Sequence, residues 1–182
     1  MKDGQYIYLD KGVSYGTNAH SEGYLTAATG NYTHTEGYQT IASGNYSHAE
    51  GYITNAPGDY SHVEGFQTIA SGVYSHAEGY WPTASGIASH AEGGYVNAIG
   101  DYSHVEGYYT TATATASHAE GYWSTATATA SHAEGYHTIA LGEPSHAEGK
   151  GSSGSLGTVS DVSTVEKITK FTLKYISTSV DK

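Results

Sequence analysis

Ten times along this chain a histidine stands two residues ahead of a glutamate, and two chemistries use such a pairing. The pairs are His20 and Glu22, His34 and Glu36, His48 and Glu50, His62 and Glu64, His76 and Glu78, His90 and Glu92, His104 and Glu106, His118 and Glu120, His132 and Glu134, and His146 and Glu148. Imidazole and carboxylate are both ligands for zinc-like ions. In most copies a serine precedes the histidine, as in Ser47-His48-Ala49-Glu50-Gly51. Serine, histidine and an acid are also the components of a hydrolytic triad.

The spacing of the copies decides what must position these residues. From His20 to His146 the step is 14 residues without a slip. A fixed period this short marks a solenoid, in which each repeat is one coil that buries its face only by stacking on the next. Each coil divides into two halves of the form small-x-small-x-Gly-x-x, as in Ser47 to Ile53 and Thr54 to Tyr60. Side chains alternate across a strand. Ser47, Ala49, Thr54 and Ala56 therefore point inward, and His48, Glu50, Asn55 and Pro57 outward. The expected fold is all-β, a parallel β-solenoid of 14-residue coils with a thin interior. Each glycine is expected at a corner, where its tolerance of φ > 0 lets the chain reverse. Ala114 and Ala128 stand where two of these glycines should be, so those corners are expected to differ in shape.

Alternation removes both chemistries. Ser47 points into the coil and His48 out of it, so no nucleophile-to-base hydrogen bond forms within a motif. His48 and Glu50 leave the strand about 7 Å apart, too far to share one ion unless they lean together. The expectation is thus no enzyme, no catalytic residue, no metal and no cofactor.

Composition and charge narrow the class. Gly, Ala, Ser, Thr and Tyr dominate, cysteine is absent, and the chain has too little apolar bulk for a thick globular core. From residue 12 to residue 149 there is no Lys or Arg, against Asp59, Asp101, Glu143 and the ten motif glutamates. Phosphate binding needs basic side chains, so nucleic acid is not an expected partner. No apolar run approaches the ~18 residues of a membrane span, and the first residues do not read as a signal peptide.

Three segments follow. Residues 1–11 hold Tyr6-Ile7-Tyr8-Leu9, in phase with the motif, and read as a bulkier capping strand. Residues 12–149 are the repeats. Residues 150–182 read as a Gly/Ser linker followed, from Thr158, by a strand-like segment in which Phe171, Leu173 and Tyr175 alternate with polar neighbours.

The outward positions divide into variable and constant ones. Ile41, Asn55, Ile69, Thr83, Asn97, Thr111, Thr125 and Ile139 occupy one position with no common chemistry, whereas histidine and glutamate never vary. A face that must match its own copy in a symmetric partner would hold them fixed. All twenty His and Glu residues are accordingly expected at an oligomer interface, the histidine of one chain meeting the glutamate of another. Burial would lower the histidine pKa and an adjacent glutamate would raise it, and the sequence leaves both outcomes open. Tyrosines gather at the corners, from Tyr24 to Tyr136 and from Tyr32 to Tyr102, and are expected to stack in ladders. Trp81 and Trp123, one position further on, are the candidates for a ligand surface. The threonines at 111, 113, 115, 125, 127 and 129 form a short array read as ordinary β-favouring surface.

The half-repeat Ser-x-Ala-x-Gly-x-x, over residues 12 to 149, resembles the head repeats of YadA-like trimeric autotransporter adhesins. In its Ser-His-Ala-Glu-Gly form it is similar to repeats of phage and prophage tail-fibre proteins. The resemblance implies a left-handed β-roll assembled as a homotrimer. Where the adhesins place apolar residues on the strand facing the trimer axis, this chain has histidine and glutamate, which implies a polar core between chains. The resulting expectation is a structural fibre protein, a shaft segment of a phage or phage-like tail fibre with a receptor-binding surface for a cell-surface glycan or protein. The alternative is a self-assembling extracellular filament subunit or bacterial surface adhesin, joined head to tail. The expected location is a virion tail fibre, or the extracellular or cell surface.

Overall fold

The computed structural model describes residues 12–154, so the expected capping strand over residues 1–11 and the strand-like segment from Thr158 lie outside the described residues. Among the described residues every element is a strand. Five-residue strands, from His20–Tyr24 to His146–Lys150, form a ten-stranded sheet. Two-residue strands, from Val13–Ser14 to Ser153–Gly154, form an eleven-stranded one. All pairing is parallel and in register at one period: His76 lies between His62 and His90, and Glu78 between Glu64 and Glu92. The stack runs past residue 149, because Lys150 closes the last long strand and Ser153 pairs with Ile139.

The interior is as thin as the small residues require. Alanines from Ala28 to Ala147 line it, and its largest apolar side chains are Val63, Val96 and Val105. Between them lie buried Ser and Thr side chains, whose hydroxyls close local turns: Ser47, Ser61 and Ser75 each donate to the carbonyl three residues earlier at 2.6 Å. Ser75 and Ala77 are buried while His76 is half-buried and Glu78 exposed, which is the alternation expected from the sequence.

The corners are built differently from the expectation. Gly79 does adopt a positive φ, of 123°. Gly86, at the other corner, does not, and its role is close approach: an added Cβ would run into the carbonyl of Gly100 in the next coil. Apart from Gly151 (φ 62°), the residues that turn the chain at φ 51–62° are not glycines but Trp81 (φ 62°) and Ala88 (φ 51°), and their equivalents in the other coils, including Ile53 and Tyr60. Such a residue is strained by about 1–2 kcal/mol. The preceding coil holds it, since Trp81 N–H donates to Phe66 O at 2.9 Å and Ala88 N–H to Val73 O at 2.8 Å.

Where alanine replaces the corner glycine, one bond between coils is absent. Gly86 and Gly100 donate their N–H groups to Ala98 O and Ala112 O in the next coil, at 3.4 and 3.3 Å. Ala114 makes no such bond, and the N–H of Ala128 turns to Ser131 Oγ at 3.2 Å. A further ladder runs along this edge. The side-chain oxygens of Asn31, Asn45, Asp59 and Asp101 each accept from the backbone N–H one period earlier, at 2.7–3.1 Å.

Candidate functional site

Because the long strands pair in register, their outward side chains form two continuous files. The histidine rings stack on one another with centroids 4.5–5.2 Å apart from His20 to His146. Beside them run the ten glutamates. The structure therefore brings all twenty of these residues onto one face of the solenoid.

The two files do not stand about 7 Å apart, as bare strand geometry predicts. Each imidazole leans toward the carboxylate two residues on, and Nε2 to Oε separations are 3.0–4.0 Å in all ten coils. The physical reason is crowding along the stack. Glutamates one coil apart repel, and an imidazole dipole inserted beside each carboxylate relieves that repulsion. Only His62 and Glu64, at 3.0 Å, are close enough for a hydrogen bond. Elsewhere the contact is longer, and Nε2 of His48, His118, His132 and His146 is buried with no hydrogen-bond partner.

At four of the ten histidines burial outweighs the neighbouring glutamate. It is the largest influence on His48, His76, His104 and His118, and it holds each below the ordinary imidazole value. Neighbouring rings add to the effect, His62 and His34 acting on His48, while Glu50 opposes it from 3.7 Å. These four rings are therefore held toward the neutral form. In two places three ligand atoms converge within 4.8 Å of one another, at His132, Glu134 and His146 and at His48, Glu50 and Glu64.

The aromatic corners form ladders as expected, with one unforeseen addition. Tyr24, Tyr38, Tyr52, Phe66 and Tyr80 stack at 4.8–5.1 Å. Gly94 interrupts the column, and Tyr95 fills the gap edge-on between Tyr80 and Tyr108, at 5.4 and 5.7 Å. Tyr95 also belongs to a second column. Trp81 and Trp123, singled out as isolated candidates, are its members three coils apart, and Tyr95 and Tyr109 join them at successive separations of 5.5, 4.8 and 5.8 Å. His137 extends it, 4.6 Å from Trp123. Reading position 81 forward at the 14-residue period would have found all three. The opposite corner carries its own stack, Tyr32, Tyr46, Tyr60 and Tyr74, at 4.9 Å.

Within a motif the serine and the histidine do not pair. Ser47 is buried and its hydroxyl donates to Gly44 O, away from the outward imidazole of His48. Among the described residues no helix is long and apolar enough to cross a membrane.

A comparison with curated proteins gives no match. A family model described as the YadA head domain repeat matches residues 133–153, in two copies. That segment holds Glu134, His146 and Glu148 of the ladder, and His132 stands one residue before it. Residues 133–153 are thus similar to YadA head repeats, and the coils before them share the same spacing, inward small residues and corner glycines.

Proposed function

We propose that the chain is a structural fibre protein: a trimeric shaft segment of a phage or phage-like tail fibre, with the His–Glu face turned toward the trimer axis. The observation that carries this reading is the inverted placement of apolar mass. The interior holds alanine and three valines, while Tyr, Trp, Ile and Leu side chains stand outside, Tyr15, Tyr74 and Tyr102 at 75, 60 and 65% exposure. A core this thin gains little from burial within one chain, and large exposed apolar surface marks a contact between chains. The YadA-type repeats support a trimer, and the constant His–Glu face supplies the surface that repeats on each copy. Ten coils at about 4.8 Å give a rod segment of roughly 45 Å.

The test is the mass of the purified full chain in solution, with electron microscopy of the same sample. A trimer forming discrete short rods is expected, and a stable folded monomer overturns the reading. The Trp81–Tyr95–Tyr109–Trp123 column is the receptor-binding surface in this proposal. Trp81→Ala combined with Trp123→Ala is expected to leave the rods intact and abolish adhesion to host cells. The second reading, a surface adhesin or self-assembling filament subunit, is favoured by the adhesin head repeat at residues 133–153. Indefinite fibres in the micrographs would select the filament form.

A further inference from the structure

The orphaned ring nitrogens of the His–Glu ladder are polar atoms for which the fold supplies no use. Nε2 of His132 and Nε2 of His146 are both buried without a hydrogen-bond partner. Their rings stack at 4.7 Å, and the carboxylate of Glu134 lies 3.6 Å from the first nitrogen. The three ligand atoms lie within 4.8 Å of one another.

We infer that His132, Glu134 and His146 form a binding site for a divalent transition-metal ion of the zinc class, one per chain. Such ions take imidazole nitrogen and carboxylate oxygen together, at about 2.0–2.2 Å from the metal. Ligands at those distances around a tetrahedral ion stand roughly 3.3–3.6 Å apart, so the two rings, now stacked within 6° of parallel, must turn toward a shared ion as the carboxylate swings in. Glu134 has more room to rotate than His132, its side chain being 46% exposed against 34%. Two imidazoles and one carboxylate leave a fourth position for water or a group from another chain. The same residue types recur in every coil, but convergence to three ligand atoms occurs among the described residues only here and at His48, Glu50 and Glu64. The latter set has one imidazole and two carboxylates, a harder donor set that suits this class of ion less well. The site lies wholly within one chain, so it does not rest on the trimer.

The experiment is a titration of the untagged full chain with cobalt(II) followed by visible absorption, with zinc(II) as competitor and circular dichroism as the check on folding. One equivalent per chain with the intense band of four-coordinate cobalt, displaced by zinc, is the expected result. His132→Gln and Glu134→Gln each remove that equivalent with the fold retained, whereas His76→Gln, in the same ladder, and His137→Gln, outside it, leave it in place. Three outcomes overturn the inference: no saturable binding, a stoichiometry approaching the ten ladder histidines, or an equivalent that survives in Glu134→Gln.

Discussion

Replacing Gly79 and Gly86 by alanine, one at a time, separates the two kinds of corner in this solenoid. Gly79 has φ 123°, a conformation that side chains avoid, and an added Cβ would overlap the carbonyl oxygen of Gly93 and stand 3.0 Å from its N and C atoms. These are backbone atoms fixed by pairing with Gly107, so relief in one coil must be passed to the next. Backbone strain of about 1–3 kcal/mol and overpacking of similar size give Gly79→Ala a cost of roughly 2–6 kcal/mol. Gly86 has no positive φ. Its Cβ would also meet the coil above, but the chain already carries alanine at the equivalent positions 114 and 128, where relief costs one hydrogen bond between coils. Gly86→Ala is therefore expected to cost about 1 kcal/mol, the net worth of one such bond. The assay is denaturant unfolding of the full-length variants by circular dichroism at one fixed protomer concentration, since an oligomer's midpoint depends on it. Equal shifts for the two variants, or a larger one for Gly86→Ala, would refute the distinction.

Acid is expected to destabilise the fold. His48, His76, His104 and His118 have folded pKa values lowered chiefly by burial, so the unfolded chain binds protons more readily. Their contribution to stability is fully present above the unfolded value of about 6.5 and is lost as pH falls through it toward the lower folded values. Thermal melts between pH 5 and 8 check this, and a midpoint that rises on acidification contradicts it. Asp59 Oδ1 accepts from the backbone N–H of Asn45 at 2.7 Å and from its side-chain amide at 3.2 Å. Asp59→Ala should destabilise the chain by about 1 kcal/mol, while Asp59→Asn, the residue type used at 31 and 45, should be close to neutral. Equal denaturation midpoints for these two variants would show that the side-chain ladder contributes nothing.

What the sequence determined is what a 14-residue period and strand alternation can carry. Placing Ala49, Ala56 and Ser47 inside and His48 and Glu50 outside needs only the strand's two-residue alternation, and in-register parallel stacking follows from a repeat without insertions. Alternation likewise separated Ser47 from His48 and so removed the triad. Other features depended on the coil above or below. Nothing in the residue types of Ile53 or Trp81 signals a left-handed backbone, because the bond that holds each comes from a carbonyl fifteen residues earlier. Asn45 and Asp59 look like ordinary turn residues until the N–H one period back is brought to them. The lean of each imidazole onto its own glutamate was also invisible. Strand geometry fixes where the Cβ atoms stand, but the direction each side chain then takes is set by the burial and repulsion that ten identical neighbours impose. The convergence of His132, Glu134 and His146 belongs to that tertiary level, since the sequence supplied the ligand types in every coil and only the packing drew three of them together.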